Sequence, residues 1–76
     1  MENRIKKVMS AVFEIPIEVI DHDSSPDTIG SWDSLKHMNL ILALEEEFNV
    51  EFTEIQVVEM LNYQLIEIVL KEHGIK

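Results

Sequence analysis

Three residue types that together can cleave esters stand within one helical turn: Asp33, Ser34 and His37, in the stretch GSWDSLKH. A hydrolase relay needs serine bonded to histidine, histidine to a carboxylate, and amide donors aimed at the developing oxyanion. Side chains on a single turn do not easily complete both links, and the bare residue types are common. A hydrolase is therefore set aside, and His37 reads as a solvated surface histidine. A second set, Asp21, Asp23, Ser25 and Asp27, has the alternating oxygens of a calcium loop. Pro26 stands where that loop needs glycine, and Trp32 where it needs a bidentate glutamate. Weak divalent binding is the most this acidic loop suggests. The chain has no cysteine, which excludes disulfides, thiolate metal sites and a cysteine nucleophile. Any thiol chemistry has to arrive on a prosthetic group.

The elements that would position these groups read as helices. Ile5, Val8, Met9 and Val12 follow the i, i+3, i+4, i+7 spacing of one helical face over Asn3 to Glu14. Pro16 disfavours helical geometry at Ile15 and ends that helix. Residues 15–32 form a long connection rich in Pro, Gly, Asp and Ser. Ile15, Ile17, Val19, Ile20 and Ile29 are apolar islands that should pin it to a core. Asp33 is placed to cap a second helix, its carboxylate accepting from a first-turn amide. That helix runs from Ser34 to about Phe48, roughly 22 Å at the usual rise. Leu35, Met38, Leu40, Ile41, Leu42, Leu44 and Phe48 form its wide apolar face, and Asn49 can end it in left-handed geometry. Thr53 can cap a short third helix through about Glu59. Asn62 can cap a fourth through about Glu72, with Tyr63, Ile66, Val69 and Leu70 inward and Gly74 beyond. Trp32 reads as a hydrophobic anchor. The expected fold is all-α, a four-helix bundle with three longer helices and one short one.

At 76 residues the chain is one small domain, 1–76, with a thin stability margin. Its 46% apolar content argues against disorder throughout. The net charge is −9, from fifteen acidic residues against six Lys plus Arg. Nucleic acid is excluded as a partner, because phosphate neutralisation needs clustered basic groups. Basic protein partners drawn by electrostatic steering suit the charge, and so does plain solubility. No stretch has a signal peptide's pattern or a membrane-spanning length. The expectation is a soluble, cytoplasmic monomer that engages no membrane.

Ser34 thus opens a helix, where unpartnered amides and the helix dipole favour anions. Taken alone it is only a common first-turn residue. The motif around it says more. DSL at 33–35 is followed by an apolar run and ALEEEF at 43–48, then by FTEIQVVEM and LNYQLIEIVL. Over nearly its whole length the chain resembles the acyl carrier protein family. The resemblance implies a four-helix bundle that carries 4′-phosphopantetheine on Ser34, flanked by Asp33 and Leu35. It also implies that a phosphopantetheinyl transferase installs the arm from coenzyme A. The arm's thiol holds acyl groups as thioesters for fatty-acid, polyketide or other biosynthetic enzymes, so Ser34 is an attachment point and not a catalyst. Lys36, His37 and Asn39 stand where many members carry acids, and Trp32 where small residues are common. These departures resemble a specialised carrier rather than the housekeeping one. A peptidyl carrier fits less well, since Gly-x-x-Asp-Ser replaces Gly-Gly-x-Ser. The rival class is an unmodified acidic helical adaptor for a basic partner.

Two further sets are expected. Glu45, Glu46, Glu47, Glu51, Glu54 and Glu59 offer an acidic face to acyl-loading and acyl-processing enzymes with basic docking surfaces. Leu42, Leu44, Phe48, Phe52, Val57 and Met60 should line the space between the second and third helices, where family members can sequester a chain. Phe52 and Val57 are larger than the Ile and Ala that family members often carry there. Close packing then leaves room for a small acyl group or none, although flexible Met60 could adapt.

Overall fold

A computed structural model describes residues 1–75. Among them the chain forms four α-helices and no strand: α1 (Glu2–Phe13), α2 (Ser34–Phe48), α3 (Glu54–Glu59) and α4 (Tyr63–Glu72), plus a 3₁₀ turn at Ile17–Val19. The all-α bundle and its long first connection are as the apolar periodicity requires.

Helix α1 buries Ile5, Met9 and Phe13, four residues apart and so on one stripe. It stops one residue short of the expected end. Glu14 turns left-handed, at φ 56°, and its amide returns to the Ser10 carbonyl. Helix α2 begins at an Asp33 cap and ends at left-handed Asn49. Its buried stripe is narrower than expected. Leu40, Ile41, Leu44 and Phe48 are inside, but Leu35, Met38 and Leu42 lie on the outer flank, exposed by 71, 48 and 60%. Seven apolar positions subtend more of a helix than a small bundle can cover, and the packing uses only the side facing α1 and the core.

Helix α3 is six residues long, too short to persist alone. A reciprocal capping box holds its start: Gln56 N–H donates to Thr53 Oγ1, and Thr53 N–H to Gln56 Oε1. Asn62 caps α4 by accepting from the Leu65 amide at 2.8 Å. All four residues expected inward on α4, Tyr63, Ile66, Val69 and Leu70, are buried.

The long connection is fastened at several points. Ile20, Ile29 and Trp32 join the core, while Ile15 and Ile17 are half-buried and Val19 is exposed. Ser24 is buried and its carbonyl accepts from the Tyr63 amide at 3.0 Å, tying the loop to the start of α4. Terminal carbonyls of α1 are also satisfied from the far side of the loop. Ser31 Oγ donates to the Phe13 carbonyl and Lys36 Nζ to that of Val12. The mouth of α2 is therefore anchored to the end of α1.

Tyr63 gives a pH test of this core. Its phenol is held far above the ordinary value, first by burial, then by the negative charges of Glu67 and Glu2 and by the hydrogen bond it donates to Glu67. The unfolded chain loses this proton near pH 10 and the native one does not. Above that pH the unfolded state binds fewer protons, so stability falls by up to about 1.4 kcal/mol per pH unit from this group. Since the chain has one tyrosine, tyrosinate absorbance should rise only together with loss of helical circular dichroism. Tyrosinate formed near pH 10 with the helices intact would contradict the burial.

Candidate functional site

The site is built at the first turn of α2. Asp33 has extended backbone geometry and accepts twice: its side chain from Lys36 N–H at 2.8 Å, its carbonyl from His37 N–H at 2.8 Å. This cap leaves Ser34 as the first helical residue, exposed. Early amides of a helix lack intrahelical partners, and α2 brings its dipole to bear at the same point. An anionic ester on Ser34 is thereby favoured.

Beside the hydroxyl lies an open-sided groove of about 510 Å³. Ser34 and Asp33 form one end; Trp32, Met38, Val58 and Leu61 supply apolar walls, with Pro26, His37 and Val57. A second open cavity, of about 500 Å³, lies beneath the long loop and is not lined by Ser34.

The residues that resembled a hydrolase relay are otherwise engaged. Both nitrogens of His37 are occupied: Trp32 Nε1–H donates to Nδ1 at 3.1 Å, and Nε2 lies 2.8 Å from the Val57 carbonyl. Asp33 serves the backbone. His37 is half-buried and bridges two helices, which corrects its reading as a solvated histidine. Trp32 is 5% exposed and rests on Phe13, ring centroids 4.9 Å apart. In the acidic loop, Asp21 Oδ1 and the Ser24 and Ser25 hydroxyls accept local backbone amides. Among the described residues no group of three or more His, Asp or Glu converges on a point that could hold a metal.

A phosphopantetheine attachment site family model matches residues 3–68, which include Ser34 and all four helix starts but the first. The chain is 39% identical over 54 residues to an acyl carrier protein of Buchnera aphidicola subsp. Schizaphis graminum, covering 71% of this chain and 68% of that one. It is 44% identical over 55 residues to that of Buchnera aphidicola subsp. Acyrthosiphon pisum, with the same coverage. The chain belongs to the acyl carrier protein family. Members of this family are carriers and not enzymes. No described helix is long and apolar enough to cross a membrane.

The other expected site residues of this carrier fall into distinct places. Leu35 is exposed beside Ser34. Glu46, Glu51, Glu54 and Glu59 are exposed. Glu45 is not free for a partner in the same way: half-buried, its carboxylate accepts from the Phe52 amide at 2.9 Å and so holds the turn between α2 and α3. Glu47 is exposed but pairs with Arg4 at 2.8 Å, a surface pair worth about 0.2–1 kcal/mol. Lys36 is turned away from Ser34, toward Val12 and Glu14.

Of the residues expected to line an interior space, Leu44 and Met60 are fully buried and Phe48 nearly so. Phe52 and Val57 are half-buried. Leu42 points to solvent, which corrects its assignment to the interior. Val57 alone among the six lines the groove at Ser34. The groove's other walls were not evident in the sequence, because Val58 and Leu61 reach it only through the placement of α3. The spacing of Trp32 and His37 about the Asp33 cap was the one local signal available.

Proposed function

We propose that Ser34 carries a 4′-phosphopantetheine arm and that this chain presents acyl groups to the enzymes of a specialised biosynthetic pathway. The reading is carried by one juxtaposition: the serine inside the matched family region is exposed at a capped helix mouth, beside an apolar groove. The bound arm would supply a thiol for thioester formation, which a chain without cysteine cannot. The α2 amides would stabilise the phosphodiester. Met38, Val58 and Leu61 would shelter the arm's apolar stretch.

Intact mass after incubation with coenzyme A and a promiscuous phosphopantetheinyl transferase tests this. Quantitative gain of one phosphopantetheine is expected. An unchanged mass with an active transferase would leave the unmodified adaptor as the better account.

Recognition by partner enzymes should depend on charge, but not on acids in the first turn of α2, which has none. Glu46, Glu51, Glu54 and Glu59 carry it instead. Affinity for the transferase should weaken steadily as salt shortens the screening length from about 10 Å at 0.1 M toward about 3 Å at 1 M. Calorimetric titration across that range checks it, and an affinity that does not change would refute an electrostatic docking face. Glu46→Gln with Glu54→Gln should reproduce part of the salt effect at low ionic strength.

A further inference from the structure

His37 has a fixed hydrogen-bonding arrangement. An indole N–H can only donate, so the Nδ1 facing Trp32 must accept. A carbonyl can only accept, so Nε2 carries the hydrogen and donates to Val57. The hydrogen-bonding roles of the ring are thus fixed, with both nitrogens used. The Val57 carbonyl belongs to the last turn of α3. The Met60 amide goes to the Gln56 carbonyl and the Leu61 amide to that of Glu59, which leaves Val57 to be satisfied from α2. One imidazole therefore ties the residue before the Asp33 cap to α2 and to the end of α3.

Its position matters for cargo. Outside it lies the groove with Met38, Val58 and Leu61. Leu44, Phe48 and Met60 lie in the packed core and do not line that groove. His37 and Val57 form the groove's inner wall. The ring spans from α2 to the Val57 carbonyl of α3, so an acyl chain passing between the helices at that point would displace it. The N–H of buried Trp32 and the carbonyl of half-buried Val57 would then both lose their partners, which is costly. That loss opposes entry of an acyl chain of any length.

We propose that His37 is a bar across the α2–α3 gap that keeps the acyl group in the outer groove and restricts this carrier to short acyl groups. The proposal rests on Ser34 carrying the arm, and it names a specificity-determining residue that the volume of Phe52 and Val57 does not.

The four methionines provide probes: Met60 behind the bar, Met38 in the groove, Met9 in the distant core and Met1 at the terminus. The full chain, labelled with ¹³C at the methionine methyls, is loaded with an acetyl or a decanoyl arm through a stable amide linkage. Intact mass is read first. Failure to load removes the carrier reading, and this proposal with it. In the loaded wild type, decanoyl should shift Met38 and leave Met60 and Met9 within a linewidth of the acetyl form. A Met60 shift in the wild type would overturn the bar while leaving the carrier reading intact. In His37→Ala, decanoyl but not acetyl should shift Met60. An unmoved Met60 there would mean that packing alone closes the interior, and would also overturn the proposal. Should His37→Ala lose its helices, Trp32→Phe removes the N–H that holds Nδ1 and keeps an aromatic ring on Phe13. The same Met60 criterion then decides.

Discussion

Ser34→Ala should abolish arm attachment completely and leave the fold unchanged. The side chain is exposed and the helix start is held by Asp33, so the stability change should stay within about 0.5 kcal/mol. No other serine can substitute. Ser10 and Ser31 donate to the carbonyls of Ile15 and Phe13, Ser24 is buried against the Asp21 amide, and Ser25 accepts from that of Asp27. Each of those hydroxyls is committed to backbone, and none opens an α-helix. The check is paired: intact mass after transferase treatment, and the thermal midpoint by circular dichroism. Residual mass gain in a folded Ser34→Ala protein would place the attachment elsewhere.

Two leucines on one helix should give opposite results. Leu44→Ala removes a side chain with no exposed surface and leaves a cavity among tightly packed neighbours. Such truncations cost about 2–5 kcal/mol. A domain of this size has about 4–11 kcal/mol in all, so the variant should be largely or wholly destabilised at moderate temperature. Leu42→Ala, two positions earlier, removes a side chain that is 60% exposed and should change stability by no more than about 0.5 kcal/mol. Urea unfolding of both variants measures the difference. Equal midpoints would mean that the two faces of α2 are wrongly assigned.

That pair also marks what the sequence could and could not disclose. Asp33, Asn49, Thr53 and Asn62 are read correctly because capping is local chemistry, complete within three or four residues. The stripes of α1 and α4 are narrow enough that periodicity alone orients them. On α2 nearly the whole circumference is apolar apart from its charged end, and periodicity cannot say which side meets α1. The sequence groups Leu35, Met38 and Leu42 with the buried residues on one apolar face, whereas they lie on its exposed flank. The left-handed turn at Glu14 was equally hidden, since glutamate gives no hint of it. At the site, Asp33 and Ser34 were legible from the motif. His37 was not, because its partner is a backbone carbonyl twenty residues away, and a carbonyl leaves no trace in the residue code.

The exposed apolar strip has a consequence for how the molecules behave in a crowded solution. Leu35, Met38 and Leu42 on α2 are exposed, and so are Ile55, Val58, Leu61, Leu65 and Ile68 from α3 to α4. Greasy surface of this extent would ordinarily promote sticking between copies. Every copy, however, carries the same net charge of −9, and like-charged particles resist close approach. A cationic partner feels no such barrier and is drawn in. The charge thus works as a colloidal filter, leaving the strip open to visitors of opposite sign while opposing its own kind. The filter has a range of only about 8 Å at physiological ionic strength, so concentrated salt should weaken it.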